Sequence, residues 1–124
     1  MTTYRLAIAD QMYVDIAMRE GVCLMNGGRE AALDGLSLGD RVVFYAPSDK
    51  PNGTSVNAYV AIATITGQRL RKTDWDGVNG FKAWVMPCTY ADATPLHEPL
   101  DYDAPVMDIE AGEFDRIAKA MKVT

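Results

Sequence analysis

The segment 36–48 restricts the fold of this chain more than any other part of the sequence. A Gly-Asp turn signal at 39–40 precedes a run of β-branched and aromatic residues at 41–45, which predicts a buried strand. We expect this strand to end at Pro47, because proline donates no hydrogen bond to a ladder and restricts the residue before it. A second such run at 56–65 predicts a neighbouring strand, and the two should pair in one twisted, partly closed sheet.

Hydrophobic periodicity predicts the remaining elements. They are an opening strand at 4–9, a helix at 11–20 that stops at Gly21, a connector at 29–36 with a turn of helix, a hairpin-type loop at 72–80, a strand at 81–90 interrupted near Pro87, an extended connection at 91–105 and a short strand at 106–109. Phe114, Ile117, Ala118 and Met121 follow at helical spacing and predict a closing amphipathic helix. This content predicts an α+β fold, a mixed, partly closed β-barrel with a few short helices.

Composition sets the broad class of the protein. The 124 residues, 48% of them hydrophobic, suffice for a single domain, 1–124, with its own core. No apolar run is long enough to cross a bilayer and the first residues lack a signal-peptide core, so we expect a cytoplasmic protein without membrane contact. Cys23 and Cys88 lack metal-ligand spacing and are expected to be core thiols. The sequence contains no cofactor or metal motif.

Charge is distributed unevenly along the chain. The net charge is −5, yet residues 1–91 hold nine basic and nine acidic side chains and sum to zero. Residues 92–115 hold eight acidic side chains and no lysine or arginine. Carboxylates repel phosphates within a Debye length of about 10 Å at 0.1 M salt. We therefore expect the acidic segment 92–115 to lie away from any pocket.

Several motifs carry a family resemblance. Leu-x-x-Gly-Asp-x-Val-x-Phe-Tyr-x-Pro-Ser at 36–48 is followed by Ala-Tyr-x-Ala-Ile at 58–62. Further motifs are Phe-x-x-Trp at 81–84, Tyr-x-x-Ala-x-Pro at 90–95 and Phe-x-x-Ile-x-x-Ala-Met at 114–121. Together they resemble the EVE domain, a branch of the PUA-like superfamily. The resemblance implies a PUA-like barrel that holds a single nucleobase, often a modified one.

The chain departs from the EVE pattern at several positions. Arg5 stands where the family usually has tryptophan, Gly27 where it has histidine, and Arg29 where it has lysine. The segment 100–105 is shorter than its family counterpart and carries two aspartates. These departures affect the expected ligand more than the expected fold.

A pocket for one base needs a flat face for stacking, polar groups for the base edge and close approach of the backbone. The predicted base-binding residues are Trp84, Tyr45, Asn26, Gly28, Arg29, Asp10 and Ser48. Trp84 resembles the family's pocket-side tryptophan, and the loop 26–29 offers unhindered amides and a planar guanidinium. Each has a structural alternative: core packing for Trp84 and Tyr45, a plain glycine turn for 26–29, a helix N-cap for Asp10 and a loop role for Ser48.

Basic residues next to aromatic ones predict contacts with a nucleic-acid backbone. Arg69, Arg71 and Lys72 precede Trp75 and Phe81, and Lys82 lies close in sequence to Trp84. Positive charge interleaved with aromatic rings is typical of surfaces that follow a single strand. The alternative is an exposed strand face that carries arginines for solubility.

These observations favour a non-catalytic module that captures one base of DNA or RNA, a modified base in particular. As a different class of function, the same fold can serve as a protein-interaction or adaptor domain that uses the acidic segment 92–115. A third alternative is a small hydrolase with Cys23 or Cys88 as nucleophile and His97, the only histidine, as base. No flanking motif supports this catalytic alternative.

Overall fold

The computed structural model describes residues 2–72 and 83–123, with the side chain of Lys72 excepted. The strands are β1 (Tyr4–Ile8), β2 (Val22–Cys23), β3 (Arg41–Ser48), β4 (Ser55–Ile65), β5 (Leu70–Lys72), β6 (Ala83–Tyr90), β7 (Leu96–His97) and β8 (Val106–Asp108). The helices are α1 (Gln11–Glu20) and α2 (Ala111–Ala120), and two short 3-10 turns span Asn26–Gly28 and Glu30–Leu33. The predicted hairpin-type loop lies, apart from Lys72, outside the described residues, as do Phe81 and Lys82.

The strands form one mixed, partly closed barrel, as the sequence predicted. The order is β2-β6-β4-β3-β1-β8, with β5 paired to β6 and β7 paired to β4. β1 runs parallel to β3, and the other pairs are antiparallel. β3 and β4 are paired neighbours, with Arg41 opposite Thr64 and Val43 opposite Ile62. The prediction that these two runs share one sheet is confirmed.

Two predictions about proline were wrong. β3 continues through Pro47 to Ser48, and the β3–β4 register shifts between Ala46 and Ser48. Pro47 therefore has no partner residue there, so its missing N–H costs no ladder hydrogen bond. β6 also runs unbroken through Pro87, where its partner changes: Cys88 lies opposite Ile65 of β4, and Pro87 lies opposite Val22 of β2. Both prolines sit where the pairing already changes, and so neither ends its strand.

Two hydrophobic clusters lie on opposite faces of the sheet. Strand alternation sends Ala7 to the cluster that includes Val14 of α1, and Leu6 to the cluster that includes Phe114 of α2. The predicted helices are confirmed, and Gly21 ends α1 in a left-handed conformation (φ 68°), where its N–H donates to the carbonyls of Ala17 and Met18. The sheet is thus covered on both faces by hydrophobic clusters that include residues of α1 and α2.

The Gly-Asp turn that precedes β3 has a structural role. The Asp40 side chain is almost fully buried, and its Oδ1 accepts a hydrogen bond from the Thr3 N–H (2.9 Å). Its Oδ2 accepts from the Ser37 N–H (2.8 Å), while Gly39 adopts φ +89°. The carboxylate therefore ties the start of β1 to the start of β3 and satisfies two backbone donors. Gly39 and Asp40 of the motif at 36–48 therefore have a role in folding.

Candidate functional site

The larger of two described cavities lies at the β8 edge of the sheet. Its volume is about 420 Å³, and it is open to solvent. It is lined by residues of β1, of β8 and of the connector 26–34: Arg5, Asn26, Ala31, Ala32, Asp34, Pro105, Val106, Met107 and Asp108. We call this the Arg5 cavity. Its volume lies within the range of sites for small organic ligands.

Arg5 is the buried charge of this cavity. Its side chain is only 9% exposed; Nε donates to Asp108 Oδ1 (2.7 Å) and Nη1 donates to the Ala32 carbonyl (3.1 Å). Arg5 and Asp108 face each other directly across the β1–β8 ladder. Gly35 has φ +84°, and a Cβ there would lie 3.2 Å from Nη2. The guanidinium plane is therefore fixed on several sides, and its charge is compensated.

The rest of the Arg5 cavity combines exposed polar groups with an apolar wall. The Asp108 side chain is 61% exposed, so its carboxylate remains reachable from solvent beside the buried guanidinium. Asn26 is exposed and held in a left-handed conformation (φ 51°). The alanines and β8 side chains supply the apolar surface. This arrangement suits a planar, polar heterocycle that lies on the wall and meets donors and acceptors at its edge.

The loop 26–29 packs against β6 next to Trp84. Gly28 has φ +82°, and a Cβ there would lie 2.7 Å from the Ala83 Cβ. Trp84 is half-buried against the α1-side cluster, and the Arg71 guanidinium lies 5.9 Å from the centroid of its ring. The structure thus brings Gly28 close to the strand that carries Trp84, as the base-pocket hypothesis requires. Trp84 and Arg29 line neither described cavity, and the segment 73–82 before Trp84 is outside the described residues.

Tyr45 has the core role that the sequence left open as an alternative. Its side chain is fully buried, and its hydroxyl donates to the Glu98 carbonyl (2.8 Å). Burial raises the pKa of this phenol above its ordinary value. A buried ring with a satisfied hydroxyl offers no free face to a base. We therefore assign Tyr45 to the core.

Asp10 and Ser48 meet at the carboxyl ends of the parallel strands β1 and β3. The Ser48 hydroxyl donates to Asp10 Oδ1 (2.8 Å). The Asp10 side chain makes no capping hydrogen bond to α1, so the N-cap alternative for this carboxylate is not what the structure shows. Asp10 and Ser48 were predicted separately as base-binding residues, and that role stays a prediction.

The predicted backbone-binding residues differ in their surroundings. Arg69 donates from Nη1 to Asp34 Oδ1 (3.0 Å), and the same nitrogen lies 3.5 Å from Glu30 Oε2. Arg69, the residue before β5, thus connects the start of that strand to the connector 26–34. Arg71 is exposed beside Trp84 and remains suited to a phosphate. The side chain of Lys72 and all of Lys82 are outside the described residues.

The second cavity lies on the other side of Pro105, which lines both. Its volume is about 320 Å³, and its lining residues are Ile8, Tyr102, Asp103, Ala104 and Pro105. We call it the Tyr102 cavity. Asp103 lines this cavity and Asp108 lines the Arg5 cavity, so the expectation that the acidic segment lies away from any pocket was wrong. The reason is that this segment enters the sheet as β8, directly beside β1.

Part of the acidic segment is compensated by arginines. Arg116 donates from Nη2 to Glu98 Oε1 (2.8 Å) and also pairs with Glu113. These hydrogen bonds raise the pKa of Arg116 above its ordinary value. Asp108 is paired with Arg5. The eight carboxylates of 92–115 therefore do not form a uniform solvated face.

The hydrolase alternative lacks a suitable geometry. His97 pairs with Ala58 of β4, whereas Cys88 pairs with Ile65 of the same strand. Seven residues of strand separate these positions by about 23 Å. Burial raises the pKa of the Cys88 thiol to about 11 and that of Cys23 above its ordinary value, which opposes thiolate formation. Within 2–72 and 83–123 no cluster of His, Cys, Asp and Glu could hold a metal ion.

Sequence reasoning missed Arg5 as a site residue. It was noted only as the replacement for a family tryptophan. A signal was present, because Arg5 is the only charged residue in the predicted strand 4–9. A charge within a buried strand needs a partner, and the partner, Asp108, is 103 residues away in the sequence.

In the described part of the chain, no helix is long and apolar enough to cross a bilayer.

Comparison with known proteins supports the fold. No protein-family model matches the chain. A UPF0310 protein of Renibacterium salmoninarum is 26% identical over 97 residues, 77% of this chain and 68% of the relative. The YTH domain of the Zygosaccharomyces rouxii MRB1 protein, solved in complex with N6-methyladenosine RNA, has a TM-score of 0.66 at 10% identity and covers 99% of this chain and 89% of that domain. A crystal structure of an Agrobacterium tumefaciens protein has a TM-score of 0.62 at 10% identity, covering 98% and 94%. At these identities the structural likenesses establish the fold, which is of the YTH type.

Proposed function

We propose that this protein is an EVE-type, non-catalytic module that binds a single modified base of DNA or RNA, with the base in the Arg5 cavity. The observation that carries the proposal is the fixed Arg5–Asp108 pair beside an apolar wall in an open cavity of about 420 Å³. The complex of a YTH domain with N6-methyladenosine RNA supports modified-base binding on this fold.

The Arg5 cavity provides what a base edge requires. A nucleobase presents a flat face and a row of donors and acceptors, and an extruded base is held by stacking and by hydrogen bonds to its edge. The Asp108 carboxylate accepts, the Asn26 amide donates and accepts, and the Arg5 guanidinium donates. The Arg5 guanidinium is held before binding by Asp108 and the Ala32 carbonyl, so it loses little side-chain entropy when a ligand enters.

Charge predicts a modest dependence on salt. The Arg5–Asp108 pair is compensated, and Arg69 is already engaged by Asp34 and Glu30. Arg71 remains as an exposed cation near Trp84. Because each phosphate contact adds to the salt slope, a protein with one or two contacts should have a shallow one. The base pocket would then supply most of the affinity.

The test is a binding panel of short single-stranded DNA and RNA oligonucleotides that carry unmodified and modified cytosines and adenines, at two salt concentrations. Replacing Arg5 with methionine keeps the apolar stem but removes a charged donor, which should weaken binding of the preferred base about 10- to 150-fold. Lys119→Met is the matched control, because Lys119 is an exposed cation on α2. Circular dichroism establishes that each variant is folded.

Trp84→Ala separates two placements of the base. Loss of a stacking face costs about 1–3 kcal/mol, so binding should fall about 5- to 150-fold if Trp84 also contacts the base. A loss with Trp84→Ala but none with Arg5→Met would reject the Arg5 cavity as the base site. No preference for any base or modification by the wild-type protein would reject the proposed function itself.

A further inference from the structure

The Tyr102 cavity has a composition that differs from that of a nucleic-acid site. Tyr102 is 43% exposed. Its ring centroid lies 6.5 Å from that of the buried Tyr45. The Tyr45 hydroxyl donates a hydrogen bond to the Glu98 carbonyl. The walls are the apolar side chains of Ile8, Ala104 and Pro105. An aromatic ring is thus presented at an apolar opening and is backed by the protein core.

The charge of this cavity is negative. Asp103 lines it and Asp101 is two residues away, and both side chains are exposed. Among the described residues, neither carboxylate has an arginine or lysine within ion-pair distance, in contrast to Asp108 with Arg5. No basic residue lines the cavity. Uncompensated carboxylates beside a cavity repel phosphate groups and attract cations.

We propose that the Tyr102 cavity binds the cationic side chain of a lysine or arginine from an exposed basic segment of a protein partner. The face of a tyrosine ring attracts a cation, and a carboxylate beside it adds direct charge complementarity. The methylene stem of the lysine or arginine would pack on Ile8 and Pro105. The volume of about 320 Å³ suits one side chain.

The probes are capped tripeptides, Gly-Lys-Gly, Gly-Arg-Gly and the neutral isostere Gly-citrulline-Gly, titrated into the full chain. Binding is followed by the ¹H–¹⁵N resonances of Ile8, Tyr102 and Ala104. Both cationic peptides should shift these resonances more than the citrulline peptide does, and 0.5 M salt should weaken the effect. Single-stranded oligonucleotides should leave the same resonances unchanged.

Variants test the two groups separately. Tyr102→Ala should weaken binding of the cationic peptides about two- to fivefold, whereas Tyr102→Phe should retain it, because the ring carries the attraction. Asp103→Asn should also weaken it. Matched controls are Tyr13→Ala, which removes a similarly exposed tyrosine (44%) from α1, and Asp115→Asn on α2. Arg5→Met should leave peptide binding unchanged, which separates this inference from the proposed base site.

Several outcomes would overturn the inference. Equal shifts with the citrulline peptide would show that the cavity does not select positive charge. If Asp103→Asn binds the cationic peptides with unchanged affinity, the Asp103 carboxylate takes no part in binding and the inference is wrong. The same holds for the Tyr102 ring if Tyr102→Ala is folded by circular dichroism and binds unchanged. An oligonucleotide that shifts Tyr102 would assign the cavity to a flanking nucleotide. Tighter binding of free spermidine than of either peptide would assign it to a small polyamine.

Discussion

The Arg5 cavity and the Tyr102 cavity share Pro105 and the same edge of the sheet, yet their charges differ. In the Arg5 cavity, the buried Arg5 guanidinium donates hydrogen bonds to Asp108 and to the Ala32 carbonyl. In the second, Asp103 lies beside an exposed ring and has no basic neighbour among the lining residues. Both carboxylates come from one acidic segment of sequence. The difference shows that local charge is decided by the residue that the fold places opposite, here Arg5 on β1.

The largest expected effect comes from Gly28, which belongs to the connector 26–34 that lines the Arg5 cavity and packs against β6. Gly28→Ala places a Cβ 2.7 Å from the Ala83 Cβ at φ +82°, so both backbone strain and overpacking oppose it. The free energy of unfolding should fall by about 2–5 kcal/mol in urea titrations. Gly27→Ala is the matched control, because its φ is +71° but nothing lies within 4 Å of its Cβ. It should lose about 1–2 kcal/mol.

The same pair of glycine variants sharpens the comparison between the cavities. Any Gly28→Ala protein that remains folded should bind base-carrying oligonucleotides more weakly but cationic tripeptides normally. Equal losses of stability in the two variants would contradict the close packing of Gly28 on β6.

An intermediate effect is expected at the Arg5–Asp108 pair. Arg5→Met leaves the Ala32 carbonyl and Asp108 without their donor, and stability should fall by about 1–3 kcal/mol. Asp108→Asn should cost less, because Asp108 is 61% exposed and asparagine can still accept a hydrogen bond. Urea titration measures both. A larger loss for Asp108→Asn than for Arg5→Met would show that the carboxylate, not the buried guanidinium, holds this edge together.

A smaller effect is expected on the Tyr102 side. Arg116→Ala removes the pairing with Glu98, whose carbonyl accepts from the Tyr45 hydroxyl. Since Arg116 is about half exposed, the loss in stability should be about 0.2–1 kcal/mol. Hydrogen exchange should rise in 96–104, near the Tyr102 cavity, and not in 26–34. A rise confined to 26–34 would show that Glu98 does not anchor the Tyr102 side.

The smallest effect, at neutral pH, concerns the two thiols of the α1-side cluster. Burial raises the pKa of Cys88 from 9.0 to about 11, so its thiol remains protonated in the folded state when an unfolded chain has begun to lose the proton. The contribution of this thiol to stability should be constant below about pH 9 and fall between about pH 9 and 11, because the unfolded state then binds fewer protons at Cys88. At pH 7.5 a thiol reagent should label neither cysteine without denaturant. Rapid labelling in native buffer would contradict the burial of this cluster.

Sequence patterns predicted most of the fold because they report local burial. The helix at 11–20 has the predicted bounds, and Gly21 ends it through its left-handed φ. The strands at 41–45 and 56–65 were read from β-branched runs that pack on both faces. The two proline predictions failed because the pairing changes at both positions: Pro47 lies at a register shift between β3 and β4, and at Pro87 the partner of β6 changes from β4 to β2. Pairing is not visible in the sequence of one strand.

The cavities were decided by tertiary structure. The sequence showed that Arg5 is the lone charge of the opening strand and that 92–115 is acidic. It did not show that Arg5 lies opposite Asp108, since those residues are 103 positions apart and meet only through the β1–β8 register. Nor did it show that Tyr45 would be buried with its hydroxyl hydrogen-bonded to the Glu98 carbonyl. The sequence by itself determined which segments are strands and helices, because hydrophobic periodicity is local. Only the folded chain decided which charges are compensated, because compensation requires a partner brought from a distant segment.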